Sequence, residues 1–185
     1  MTDLAKVKNT MLINPTKVKS YAVVGLNVDD GALGNCIRLA HIHVGEVLGR
    51  ELMEKIRTLV YNKIQGTGST IDDEENIAYK TLLEEYLQPA LAYATAVEAA
   101  VINELKIRNM GTVKNSDTNV NQVSSSEYHS LASYYKTYLN DAYNRMTEFL
   151  CEEKAAFIEV PDGFCTCSDK PLYGNTNLWL GPSKH

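Results

Sequence analysis

The sequence predicts an all-α fold, an antiparallel helical bundle of about four to five helices. Two observations carry that expectation, and a third marks where the helical pattern breaks. Apolar residues recur at helical spacing through 29–64, as Leu33, Ile37, Ala40, Val44, Val47 and Leu48, then Leu52, Ile56, Leu59, Val60 and Ile64. A second periodic run extends from Tyr128 through Leu131, Tyr135, Leu139 and Met146 to Leu150, opened by the capping box Ser124-x-x-Glu127. Loose alternation of apolar and polar residues marks 112–123, which reads as a small β-hairpin or an irregular loop.

Residues 1–10 are polar and predict a poorly ordered start, followed by a short apolar anchor at Met11, Leu12 and Ile13. Asn14-Pro15 is an N-cap followed by proline at the first helical position, so a short helix is expected over 15–23 with Val18, Tyr21 and Ala22 on one face and Gly25 ending it. Asp29 caps the next helix and Asp30 places negative charge where the helix dipole favours it. Gly49 ends that helix, and a second amphipathic helix starts at once, giving two sharply bent or antiparallel helices with almost no loop. Residues 65–70 form a loop rich in glycine, serine and threonine.

A third helix is expected from the acidic turn Asp72–Glu75 onward, with Ile77, Leu82, Leu83, Tyr86 and Leu87 as its apolar face. Pro89 is expected to interrupt it at Gln88. The chain restarts as an alanine-rich helix over 90–110, whose small side chains allow close helix packing, and Gly111 caps it. The helix behind the Ser124 cap is about 27 residues long, or about 40 Å. From Pro161 onward regular structure is not expected, yet Phe164, Leu172, Tyr173, Leu178, Trp179 and Leu180 are strongly apolar and call for a docking surface. The division is therefore an N-terminal arm at 1–14, a helical-bundle domain at 15–160 and an extended C-terminal tail at 161–185.

Composition narrows the function classes. With 44% hydrophobic and 22% charged residues the chain can bury a core. A net charge of −5 argues against a nucleic-acid binder. Lys6, Lys8, Lys17 and Lys19 make the first twenty residues basic, read as a solvated terminus or as an arm that docks on an acidic partner or DNA. No signal-peptide core precedes Lys8 and no stretch is long enough to span a bilayer, so the chain is expected to fold in a cytoplasm, where disulfides among its four cysteines are not expected. Cys36, beside the apolar stripe, reads as a small buried hydrophobe. Eleven tyrosines against three phenylalanines suit either subunit interfaces or the rim of a small core.

Catalytic patterns are missing. His41 and His43 are two residues apart and point to different helix faces, so they do not chelate one metal. Cys165-x-Cys167 has one intervening residue where structural zinc sites have two to four. Asp72–Glu75, Glu84-Glu85 and Glu152-Glu153 read as helix-dipole matching and solvation. No enzyme, cofactor or metal site is expected.

The run Val18-Lys19-x-Tyr21…Val28-Asp29-Asp30-x-x-Leu33…Ile37-x-x-Ala40…Val47-Leu48-Gly49 resembles the head–tail connector (adaptor) proteins of tailed bacteriophages. Tyr86-Leu87-x-Pro89-x-Leu91-x-Tyr93, Ile107-x-Asn109-x-Gly111-x-Val113, Asn115-Ser116 and the Ser-capped tyrosine-rich helix are similar to ring proteins of crAss-like phages that infect gut Bacteroides. The resemblance spans 11–150 and does not cover the tail.

That resemblance implies a virion protein of the neck or tail region, assembled in the host bacterial cytoplasm. It implies a homo-oligomeric ring, usually twelve-fold, between portal and tail, which extends the DNA channel and gives tail assembly a platform. Its partners would be the portal protein and neighbouring ring or tail proteins, with DNA passing through unbound and no membrane involved. Candidate inter-subunit contacts are Val113, Val120 and Val123 in the loop, and Phe164, Leu172, Tyr173, Leu178, Trp179 and Leu180 in the tail. The competing expectation is a small helical-bundle binding protein or assembly chaperone that acts as a monomer or dimer.

Overall fold

A computed structural model describes residues 4–22, 30–109, 125–161 and 164–167, and helices are the only regular structure among the described residues. The all-α expectation holds. The stretch 112–123, the caps expected at Asp29, Gly111 and Ser124, and the tail beyond 167 lie outside the described residues.

The N-terminal segment is more structured than its polarity predicts. Leu4–Lys8 form a short helix, α1, which packs on α4 (Arg50–Gln65). Behind it Leu12 and Ile13 are buried, as the apolar anchor predicts, whereas Met11 is exposed. Polar composition failed here because burial of two anchor residues fixes the chain on both sides of them.

The helix α2 (Pro15–Tyr21) begins as its cap predicts, with Asn14 Oδ1 accepting from the Lys17 N–H at 2.8 Å. It buries Val18 and half-buries Tyr21. The pair α3 (Asp30–Leu48) and α4 is divided at Gly49, whose φ of +90° is a backbone conformation that strains any side-chain-bearing residue. Cys36 is buried beside Leu33 and Ala99.

Between α4 and the next helix, Asp73 ties the loop down. Its carboxylate accepts from the Thr70 N–H at 2.7 Å and the Thr70 hydroxyl at 2.8 Å, and Asn76 Nδ2 donates to Thr70 O at 2.7 Å. Asp72 pairs with both Lys63 at 2.7 Å and Lys80 at 2.9 Å, bridging the helix before the loop to the helix after it. These contacts give the acidic run a structural role.

Pro89 does not interrupt the third helix. The helix α5 (Ile77–Thr81) passes through a π-helical turn (Leu82–Leu87) into α6 (Gln88–Asn109) without a break. In the π-turn the Gln88 N–H donates to Leu83 O, five residues back. The next donor in that register is the Pro89 nitrogen, which has no hydrogen to give. The wide turn thus absorbs both the missing donor and the ring clash that proline imposes on an α-helix. Helix α6 is the hub of the bundle, with α7 (Ser125–Glu152), α3 and α2 all packed on it. Ala90 to Val97 are buried around almost the whole helix circumference, with Tyr93 half-buried, and Ala99 and Ala100 are buried too. Small residues let three neighbours approach one helix.

Some expected core residues face outward. Ile64 is 65% exposed at the end of α4, Ile77 is 60% exposed at the start of α5, and Leu131 is 41% exposed on α7. After α7 the chain doubles back through a 3-10 turn at Lys154–Ala156, burying Phe157 and Val160. A second 3-10 turn at Phe164–Cys167 follows where no regular structure was expected. It brings Cys165 within 5.5 Å of Cys151, Cα to Cα, and the two form a disulfide, contrary to expectation. The return of the chain over the end of α7 supplies the proximity that sequence separation hid.

Candidate functional site

The π-turn has a consequence beyond continuity. It swings Glu84, Glu85 and Tyr86 to one side of the bundle, where α2, the π-turn, α6 and α7 enclose an open groove of about 400 Å3. Tyr21 closes one end. Its hydroxyl donates to Glu84 O at 3.4 Å, the carbonyl that the Pro89 nitrogen would have served in the π register.

Four tyrosines line this groove: Tyr21, Tyr86, Tyr93 and Tyr138. Tyr86 is fixed by stacking on Phe149, with ring centroids 4.4 Å apart, and Tyr93 lies 5.5 Å from Tyr138. Their phenol rings give flat apolar walls with polar rims. Glu84 and Glu85 on one side and Asp141 on the other set three carboxylates around these rings, against one guanidinium at Arg145. All four charged side chains are exposed and hence available to a ligand. An acidic, tyrosine-walled groove suits a cationic side chain flanked by apolar or proline residues.

An exposed aromatic surface continues from the groove along α7. Tyr134 is 52% exposed and Tyr138 is 42% exposed, and the Tyr134 hydroxyl donates to that of Tyr138 at 3.1 Å. That bond raises the Tyr134 phenol above its ordinary range, because the donated proton is harder to remove. With Leu131 they form one outward stripe. A second outward apolar pair, Leu39 and Ile42, lies on α3.

The residues singled out in the sequence fare unequally. Phe164 is half-buried against the chain's own core. The other expected contacts, Val113, Val120, Val123, Leu172, Tyr173, Leu178, Trp179 and Leu180, lie outside the described residues. His43 approaches Glu98 at 3.4 Å, and burial raises the Glu98 carboxyl above its usual range while His43 and Lys136 pull it down. His41 is buried and holds the 11–13 segment to α3. Among the described residues no group of three His, Cys, Asp or Glu is placed to hold a metal ion, and no helix is long and apolar enough to cross a membrane.

The chain matches the family described as "Family of unknown function (DUF6712)" over residues 44–168. It belongs to the DUF6712 family. The match runs from the second half of α3 to the second 3-10 turn and so includes most of the groove, with Tyr21 outside it. No curated protein and no solved structure matches the chain.

Sequence reasoning missed the groove. Its signal was present in Glu84-Glu85-Tyr86 with Pro89 and Tyr93 close behind, since a proline inside a strongly periodic run marks a local change of helix register.

Proposed function

We propose that this DUF6712 chain is a virion structural protein, a subunit of an oligomeric ring between the portal and the tail of a tailed bacteriophage. In this reading the ring extends the DNA channel and offers a platform for tail assembly, and the subunit carries no catalytic step. The observation that supports it best is the outward stripe Leu131, Tyr134 and Tyr138 on the longest helix, together with the separate outward pair Leu39 and Ile42 on α3. Head-to-tail rings need two different complementary faces on each subunit. Exposed tyrosine on a rigid helix is favoured where a surface alternates between water and a protein partner. The sequence resemblance to phage connectors supplies the rest of the assignment, and an acidic chain suits a channel that does not hold DNA.

Mass photometry of the pure protein, alone and with a portal protein, tests the reading. A closed high-order oligomer, formed alone or on the portal, is expected. A species that stays monomeric or dimeric in both mixtures overturns it, and favours a helical-bundle protein that binds its partner through the groove.

A further inference from the structure

We infer that the groove between α2, the π-turn, α6 and α7 is a binding site for an aliphatic diamine or polyamine. Its ammonium groups would sit on Glu84 and Glu85 at one wall and on Asp141 at the other, with the methylene chain against the tyrosine rings. The inference does not rest on the ring reading, which gives the groove no role.

The charge of the site complements a dication. Glu84, Glu85 and Asp141 stand against Arg145 alone, which leaves two negative charges over. Among the described residues none of the four is held in an ion pair. The Glu84 carbonyl adds a neutral acceptor. Pro89 has no N–H to give it, and its contact from the Tyr21 hydroxyl is long, at 3.4 Å, so a lone pair stays open to an ammonium. An ammonium carries three donors, and a carboxylate, a carbonyl and a phenol face together satisfy it better than a carboxylate alone.

The spread of these groups selects the class of cation. Among the described residues no three carboxylate, histidine or cysteine groups are placed to hold one metal ion, so Glu84, Glu85 and Asp141 line a common groove without converging on a point. A compact metal dication therefore meets one wall only. Helices in contact stand about 10 Å apart, axis to axis, so carboxylates on the π-turn and on α7 suit two charges joined by a short aliphatic chain. The lining also holds Tyr86, stacked on Phe149 at 4.4 Å, and Tyr93, 5.5 Å from Tyr138. Methylene groups beside an ammonium share its charge and pack on such phenol faces. A volume of about 400 Å3 is that of a small-molecule site. A single lysine side chain reaches one wall and leaves the carboxylate of the other unmatched.

The test is isothermal titration calorimetry of the full-length chain with putrescine and spermidine. Two comparison ligands accompany them: Mg2+, a dication without a stem, and N-acetyl-lysine methylamide, a lysine side chain on a peptide unit. Saturable binding of the diamine at one per chain is expected, with the lysine analogue about five-fold weaker for want of its second charge pair and Mg2+ weaker than putrescine. Asp141→Asn should weaken putrescine about five-fold and bring it level with the lysine analogue. Tyr93→Leu keeps an apolar wall and loses the π face, and should weaken it about three-fold. Glu152→Gln with Glu153→Gln, two exposed carboxylates outside the groove, should leave the affinity unchanged. The absence of saturable binding overturns the inference. So does equal or tighter binding of Mg2+, or a loss in the Glu152, Glu153 variant as large as that in Asp141→Asn, since either reports attraction to an acidic chain without a site. Equal or tighter binding of the lysine analogue overturns it in favour of a protein side chain as the occupant, and an affinity unmoved by Tyr93→Leu counts against the tyrosine contact.

Discussion

The Leu12 N–H donates to His41 Nε2 at 3.0 Å, while His41 Nδ1 lies 2.7 Å from the Ile37 carbonyl. The Ile37 contact requires a proton on Nδ1, so Nε2 of the neutral ring is the acceptor that Leu12 needs. The Leu12 carbonyl is taken by Gln88 Nε2 at 2.9 Å, so side chains from two helices satisfy both backbone polar groups of one buried residue. His41 and Gln88 together hold the apolar anchor against the bundle.

This arrangement makes stability depend on pH. Burial pushes the His41 imidazole down to about 4, with the Ile37 bond opposing and Arg57 adding to the fall. A folded-state pKa below the unfolded value means that the native state disfavours the protonated ring. Its full contribution is present above the unfolded pKa near 6.5 and is lost as pH falls toward 4. Between pH 7 and pH 5 the unfolding free energy should drop by about 2 kcal/mol from this group. His41→Phe should lower stability at pH 7 by about 1–3 kcal/mol, because the Leu12 N–H is left unsatisfied, and should remove that portion of the pH slope. Urea denaturation at the two pH values checks both, and an unchanged slope in the variant removes His41 as the cause.

His41 also indicates what the sequence made legible. It stands in register with Ile37, Val44 and Leu48, all buried, so the apolar stripe itself marked it for burial. The helix pair, its division at Gly49 and the cap at Asn14 were readable because each rests on local chemistry. Pro89 was misread because the rule for proline concerns the α-register, and the π-turn leaves that register before the ring arrives. The groove and the Cys151–Cys165 bond were hidden for a different reason. Both join residues beyond the span of one helical pattern: Tyr21 with Glu84, 63 residues on, and Cys151 with Cys165, 14 residues on.

Gly49 gives a direct test of the legible part. A Cβ there meets no atom within 4 Å, so only the backbone conformation at φ +90° opposes a side chain. Gly49→Ala should cost about 1–2 kcal/mol in urea denaturation. Gly34, inside α3 and equally open, should become slightly more stable as alanine, by up to about 1 kcal/mol. A loss at both positions of the same size would show that crowding, not backbone strain, sets the cost at 49.

The turn after α7 is fastened at two points. Tyr79 donates to Glu159 Oε2 at 2.8 Å and packs edge-on to Phe157 at 5.2 Å, and burial, reinforced by the bond to Glu159, pushes the Tyr79 phenol up to about 12. Tyr79→Phe should keep the ring contact and lose about 1 kcal/mol. The raised pKa places this contribution below pH 10, with loss as pH rises toward 12. The Cys151–Cys165 bond closes a loop of 14 residues. Reduction by dithiothreitol should lower stability by about 3 kcal/mol, and the Cys151→Ser, Cys165→Ser variant should lose its sensitivity to reductant.

The outward stripe on α7 separates assembly from folding. Tyr134 is more than half exposed and Leu131 nearly so, so replacing them removes little core packing. Tyr134→Lys should leave the denaturation midpoint of the isolated chain within about 0.5 kcal/mol of the parent. A tyrosine at the centre of a subunit contact is often worth about 2 kcal/mol, so the same variant should weaken association about thirty-fold. Tyr135, one residue on, is buried against Ala96 and Val97 and gives the contrasting case: Tyr135→Ala should lose about 3 kcal/mol of stability by opening a cavity. Concentration series in mass photometry, paired with urea denaturation, read the two variants side by side. Equal assembly by Tyr134→Lys and the parent chain would remove this stripe as the lateral contact and direct attention to Leu39 and Ile42 on α3.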